Sequence, residues 1–365
     1  MNHFRVLFLT FIITILVAGV SIGAIIRGPY LQMQTDTSIT ITWITDSVSN
    51  CQLSWGTNSS QLKNTFVSLS TQKHNLIING LKFDWNYYYQ ISSGKDSLTS
   101  ILKFRTAPSP ESTKLSFTLQ GDSRSNPKDC KNIFDRMLPE TVNGFCLSMG
   151  DLPGRGEDKK TDYWQQHFFN PAKDFLNQVC LYPCIGNHEL YNEEKPIHYV
   201  FPQKYLDIWS LPTTNSNTKL YYSFDKANAH FTCLDVFWSS YTIGSPQYHW
   251  LEQDLAKSRQ PWKFVFMHTG PYIGMKNKDT GTLTVRNQLV PLFEKYKVDV
   301  VFYGHYHIYQ RNVVNGITYL VQGAGGGDLE KADASQPYTK NFANEFCFSR
   351  IDINGSKLPG KNHPA

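Results

Sequence analysis

At 365 residues the chain exceeds a typical single domain, so two domains are expected, each able to bury a core of its own. Aromatic residues at 14% and charged residues at 18% exclude a disordered chain. The net charge of +5 comes from scattered basic residues, which leaves no nucleic-acid footprint, although a mildly positive cleft suits an anionic substrate.

Residues 1–24 have the pattern of a targeting segment. His3 and Arg5 precede an apolar run from Val6 to Val20, and Ser21-Ile22-Gly23-Ala24 supplies the small residues that a signal peptidase accepts. The run is shorter than the ~20 residues of a spanning helix, so a cleaved signal peptide is favoured over an uncleaved anchor. The mature protein is expected to be exported (periplasmic, secreted or luminal), with no membrane span after cleavage. No cysteine follows the run, which argues against a lipoprotein anchor.

Seven cysteines follow, an odd number that leaves at least one thiol free even where disulfides are permitted. Cys146, Cys180, Cys233 and Cys347 lie in apolar runs, as small core residues do. Cys180 and Cys184 are too far apart along a strand to share a metal, so they too are read as structural.

Residues 25–107 have an all-β pattern. Ser38–Trp43, Gln52–Trp55, Asn75–Ile78 and Trp85–Ile91 alternate polar and apolar, with turn residues at Gly56-Thr57-Asn58 and Asn79-Gly80. Short strands at this spacing predict a sandwich of the immunoglobulin or fibronectin type. His74, the one histidine here, is read as a packing or surface residue. Residues 108–113 hold two prolines among polar residues and are read as a linker.

From residue 114 to residue 355 strands alternate with amphipathic helices, predicted over Lys128–Leu138, Asp162–Asn177, Pro246–Ser258 and Thr284–Tyr296. The last ten residues, 356–365, are read as a tail. Five apolar runs end in groups that bind metals. They are Leu119-Gln120-Gly121-Asp122, Leu147-Ser148-Met149-Gly150-Asp151, Cys184-Ile185-Gly186-Asn187-His188-Glu189, Phe266-Met267-His268 and Tyr303-Gly304-His305-Tyr306-His307. Strand ends are where open α/β sheets place their sites. Each motif alone has a bland account as a cap or a packing residue. Together, hard oxygen donors mixed with imidazole and no thiolate suit divalent Mn, Zn or Fe, and argue against a structural zinc site.

This series of motifs resembles the calcineurin-like metallophosphoesterase superfamily and, within it, the purple acid phosphatases and their bacterial relatives. The resemblance extends to Arg27-Gly28-Pro29-Tyr30-Leu31-Gln32 and to Gln247-Tyr248-His249-Trp250-Leu251-Glu252. It implies a fibronectin III-like domain followed by a four-layer α/β/β/α domain. It also implies one metal on Asp122, Asp151 and His307, and a second on Asp151, Asn187, His268 and His305, with Asp151 bridging. His188 is left to meet the phosphate or the leaving group. Two positions depart from the family. The ferric-binding tyrosine three residues after the second aspartate is Gly154, which makes ferric iron doubtful, and the histidine that other members place two residues after the first aspartate is Arg124. Arg124 has two readings, a fork that orients a phosphate oxygen or a solvated ion pair.

The expected activity is hydrolysis of small phosphate monoesters by attack of a metal-bound hydroxide, without a phosphoenzyme. Cleavage of phosphodiesters or nucleotides by the same centre is the alternative, and a binding protein with a decayed metal site is the alternative of another class. The residues of 153–160 and 191–203 are expected to set specificity. Tyr272, Tyr306 and Tyr309 are read as packing, and the glycine run 323–327 as a tight turn beside the cleft. The sequence does not indicate an oligomeric state.

Overall fold

The computed structural model describes residues 23–141, 143–192, 198–274, 279–331 and 336–355. The expected signal peptide lies outside these residues up to position 22, as does the expected tail 356–365. No helix among the described residues is long and apolar enough to cross a membrane.

Strands β1 (Ile25–Gln32), β2 (Ser38–Gly56), β3 (Asn64–Asn79), β4 (Asn86–Ser93), β5 (Asp96–Ser97) and β6 (Leu102–Arg105) form the N-terminal sandwich. The alternating segments 38–43 and 52–55 are halves of one strand, because β2 runs on through a register irregularity between Ile44 and Cys51. Its first half pairs with β1 and its second half with β4, so the same strand serves both sides of the sandwich. Strands that change sheets at a bulge are a known way of turning such a corner. His74 is fully buried and stacks on Trp43 with ring centroids 4.7 Å apart, which is a packing role.

The second part alternates strand and helix. β7 (Lys114–Gln120), α1 (Pro127–Met137), β8 (Phe145–Ser148), α2 (Lys173–Leu176), β9 (Cys180–Pro183) and α3 (Gln203–Ile208) come first. β10 (Tyr222–Lys226), β11 (Ala229–Cys233), α4 (Pro246–Lys257), β12 (Trp262–Phe266), α5 (Asp279–Lys295) and β13 (Val300–Tyr303) follow. β14 (Tyr309–Val314), β15 (Ile317–Gln322), β16 (Thr339–Ala343) and β17 (Ser349–Asn354) complete the order. Three of the four predicted helices occur close to their expected bounds. The fourth, expected over Asp162–Asn177, is broken into a wide helical turn at Trp164–Phe169 and the short α2. Pro171 falls at the break and has no amide to donate to the helical ladder, while Asn170 before it keeps helical angles (φ −67°, ψ −52°).

Two sheets face each other. One runs β17-β7-β8-β9-β1-β2-β4-β5 and the other β10-β11-β12-β13-β15-β14-β16. Between them Phe117 meets Phe231, Phe264 and Phe302 at centroid distances of 5.2–6.1 Å. Outside the first sheet, Phe134 of α1 packs on Phe168 and Phe175. Outside the second, Leu251, Leu255, Leu289 and Phe293 of α4 and α5 cover Val265, Met267 and Val301. These layers are the four expected. The sheet also joins the two parts of the chain, because β1 lies parallel to β9 with Leu31 opposite Cys180. All seven cysteines are free thiols, six of them buried and Cys347 half-buried.

Two buried polar groups give testable energetics away from the strand-end motifs. Lys226 donates to the Gln34 carbonyl at 2.6 Å and to Gln34 Oε1 at 3.0 Å, with its Nζ 5.1 Å from the rings of Phe145 and Tyr182. It thus ties the sandwich to the second sheet. Lys226→Ala removes these bonds and leaves a void, and is expected to cost about 3 kcal/mol in urea denaturation.

His230 is held between Asp225 (Nδ1 to Oδ1, 2.6 Å) and Asp254 (Nε2 to Oδ2, 2.9 Å). Burial pulls its pKa down, but bonds to the two carboxylates outweigh burial and raise it to about 9. The folded value lies above the ordinary ~6.5, so this stabilisation is complete below that pH and is lost as the pH rises through about 9. Between about pH 6 and pH 9.5 the wild-type chain is expected to lose about 3 kcal/mol more unfolding free energy than His230→Asn.

Candidate metal centre

Every predicted site residue lies beyond the C-terminal end of a parallel strand: Asp122 after β7, Asp151 after β8, Asn187 and His188 after β9, His268 after β12, and His305 and His307 after β13. The backbone bends sharply to aim them. Asp122, Asp151 and His305 adopt left-handed angles, with φ of 57°, 54° and 69°. Such angles cost non-glycine residues on the order of 1–3 kcal/mol and cluster at functional sites. Glycines allow the close approach. A Cβ on Gly186 would stand 2.4 Å from Asp151 Oδ1, and one on Gly304 would stand 2.3 Å from Asp122 Oδ2.

The donors converge. Asn187 Oδ1 lies 3.1 Å from both His268 Nε2 and His305 Nδ1, which are 3.3 Å apart, and Asp151 Oδ1 lies 3.3 Å from His268 Nε2. Among the described residues, Asp151, His268 and His305 group their ligand atoms within 4.8 Å. His268 Nδ1 is bonded to the Met149 carbonyl, so Nε2 is the ring atom turned to the pocket. Asn187 Nδ2 donates to the Tyr191 hydroxyl at 3.0 Å, which turns Oδ1 the same way. Three or four lone pairs therefore crowd one point, an arrangement that needs a positive charge at its centre.

The electrostatics agree. Burial pushes Asp151 up, yet His268, His188 and Arg124 outweigh it and hold the carboxylate well below its usual range. His268 is raised to about 9 by Asp151 and Asp122 in spite of its burial. His305 is lowered to about 4, first by burial and then by His268. The carboxylates thus favour positive charge at His268, and burial disfavours it at His305. A divalent ion supplies that charge in place of the proton, so Asp151, Asn187, His268 and His305 fit a metal.

The other expected donors stand differently. Asp122 is fully buried, and its Oδ1 accepts no hydrogen bond; it lies 3.5 Å from His307 Nε2 and 4.0 Å from His268 Nε2. Arg124 reaches across the site, with Nε 3.2 Å from Asp151 Oδ2 and Nη2 3.2 Å from His307 Nε2. The ion pair is not solvated, because Asp151 is 1% exposed and Arg124 20%. Two of the three residues expected to hold a first metal, Asp151 and His307, are therefore engaged by a guanidinium, and Asp122 is not. His188 stands at the rim, 16% exposed, with Nε2 3.9 Å from Asp151 Oδ2 and Nδ1 bonded to the Gly154 carbonyl. The glycine run lies beside the cleft as expected: Gly327 N donates to the Asp122 carbonyl, and a Cβ on Gly327 would stand 2.6 Å from the His307 ring.

Several supporting residues were assigned no role from the sequence. Glu189 is fully buried and accepts the amides of Asp151, Leu152 and Gly186 at 2.7–3.0 Å. Burial and the charge of Asp151 raise its pKa to about 7. Phe237 packs on the rings of His268 and His305, with centroids 5.4 and 5.8 Å away. The turn that carries it is held by Asp235, whose carboxylate accepts the amides of Phe237, Trp238 and Ser239. Phe231-Thr232-Cys233-Leu234-Asp235 is another apolar run ending in a carboxylate, and that pattern was the available signal. Tyr191 fell only within the loop expected to set specificity; its hydroxyl orients Asn187, and its ring lies 4.5 Å from that of His188.

Comparison with known proteins places this arrangement. Residues 115–309 match the calcineurin-like phosphoesterase family, and residues 27–106 match the N-terminal domain of purple acid phosphatases. The Fe(3+)-Zn(2+) purple acid phosphatase 12 of Arabidopsis thaliana is 28% identical over 299 residues, covering 74% of this chain and 63% of the relative. The phosphoenolpyruvate phosphatase of Allium cepa is 28% identical over 297 residues, covering 72% of this chain and 60% of the relative. The chain thus spans less than two thirds of the length of either. The fold matches a purple acid phosphatase from yellow lupin (Lupinus luteus) seeds with a TM-score of 0.74 at 17% identity, over 91% of this chain and 70% of that one. The chain belongs to the calcineurin-like phosphoesterase family and carries the N-terminal domain of the purple acid phosphatases.

Proposed function

We propose that this chain is a metal-dependent phosphoric ester hydrolase of acid-phosphatase type that releases phosphate from small monoesters. The observation that carries this reading is the meeting of Asp151, Asn187, His268 and His305 lone pairs at one point, beside a guanidinium and a rim imidazole. Those four residues would hold a divalent ion, Fe, Zn or Mn by the donor set. When bound, such an ion polarises phosphoryl oxygens and lowers the pKa of water.

The chain's own residues do the rest. Arg124, whose Nε and Nη2 are bonded to Asp151 Oδ2 and His307 Nε2, keeps 20% of its side chain exposed and offers a fixed positive charge that suits a phosphoryl group. His188 has Nδ1 committed to Gly154, so Nε2 is the atom that faces the leaving oxygen, and the ring must take up a second proton there to act as the acid. Phe237 and Tyr191 wall the site and limit water around it. The name of the Allium cepa relative refers to a monoester, which supports the choice of substrate class. In this reading residues 25–107 form the sandwich, 108–113 the linker and 114–355 the catalytic domain, exported by the leader read over residues 1–24.

The test compares an aryl phosphate monoester with the matched diester, using protein stripped of metal and reloaded with manganese, zinc or iron. Faster turnover of the monoester is expected. Preference for the diester would move the assignment to phosphodiesterase, and turnover of neither would overturn it.

A further inference from the structure

We propose that the Arg124 guanidinium is the resident cation of the first metal position, so that the chain binds one divalent ion, in the Asp151, Asn187, His268 and His305 pocket, and not two. This deepens the functional reading above and rests on it.

The case begins with lone pairs. His307 Nδ1 is bonded to the Asp328 carbonyl at 2.7 Å, so Nε2 is the one ring nitrogen that can take a cation, and Arg124 Nη2 lies 3.2 Å from it. The two oxygens of Asp151 divide their work. Oδ1 faces His268 and accepts the His188 amide at 2.9 Å, while Oδ2 accepts from Arg124 Nε at 3.2 Å. A first ion would need both His307 Nε2 and Asp151 Oδ2, and one planar fork spans the pair. The guanidinium keeps its charge at any working pH, so an ion on the same atoms would meet a like charge at contact distance.

The position three residues after Asp151 offers no substitute donor. Position 154 is a glycine, and the space over its Cα is filled by His167, whose Nδ1 and Cε1 lie 2.8 Å from where a Cβ would stand. The buried His167 Nδ1 has no hydrogen-bond partner and lies against this backbone. Asp122 Oδ1 remains uncommitted between His307 and His268. Its charge, together with that of Asp151, balances one guanidinium and one divalent ion better than a guanidinium and two ions. Arg124 keeps 20% of its side chain exposed, so the guanidinium that excludes an ion also presents its charge to a phosphate.

The experiment counts ions. Full-length protein stripped with chelator is titrated with Mn2+, desalted and assayed for bound manganese, and its electron paramagnetic resonance spectrum is recorded. One ion per chain with the spectrum of an isolated Mn2+ is expected. Arg124→His replaces the cation by a donor and is expected to bind two ions with a spin-coupled spectrum. Arg124→Gln, which removes the charge at similar size, is expected to gain weaker second-ion binding if the histidine variant does not fold. Two coupled ions in the wild-type chain would overturn the Arg124 assignment and leave the hydrolase reading standing. A charge-free variant that folds and stays at one ion would also overturn it. No bound ion in the wild-type chain would overturn both.

Discussion

Asp151→Asn is expected to fold, to lose divalent-ion binding, and to lose more than ~100-fold in kcat/KM against an aryl phosphate. Residues that only support a metal ligand cost about 10–100-fold when removed, and Asp151 is read as a ligand itself. The substitution keeps the shape and an oxygen to accept the His188 amide, but removes the charge that faces His268 and Arg124. Leaving those two cations without a counter-charge is expected to cost about 1–3 kcal/mol of unfolding free energy. Circular dichroism, urea denaturation and an ion-binding isotherm separate the outcomes. A folded Asp151→Asn chain that keeps both tight ion binding and turnover would remove Asp151 from the centre.

Glu189→Gln tests the support beneath the site. One Glu189 oxygen accepts the amides of Asp151 and Gly186 and the other accepts that of Leu152, all in a fully buried setting. A glutamine can present oxygen to only one side and must turn an NH2 group towards an amide on the other. The expected cost is about 2–4 kcal/mol of stability, with a fall of about 10–100-fold in ion affinity as the Asp151 turn loosens. Urea denaturation and calorimetric ion titration measure the two effects. Loss of stability with unchanged ion affinity would make Glu189 a scaffold residue with no hold on the centre.

The part of the site that could be read from the sequence was local. Each motif is an apolar run, in most cases a glycine, then a donor, and a strand followed by a tight turn needs only those neighbouring residues to form. What the sequence did not show depends on contacts between distant positions. Arg124 meets His307 from 183 positions away, and its partners could not be read from the residues beside it. Glu189 was visible inside its motif, but its task is to hold a turn 38 positions earlier. The failure over Asp162–Asn177 had a local cause, since Pro171 lies within the apolar periodicity and overrides it. The continuous sheet across the two parts of the chain rests on the pairing of Leu31 with Cys180, which strand patterning alone does not specify.

The most direct test of the central claim is turnover of an aryl phosphate monoester by chelator-stripped wild-type protein as divalent ion is added back. The account predicts negligible hydrolysis when stripped, and recovery that saturates as the Asp151, Asn187, His268 and His305 pocket fills. Undiminished turnover by the stripped protein, or none at any level of manganese, zinc or iron, would contradict it.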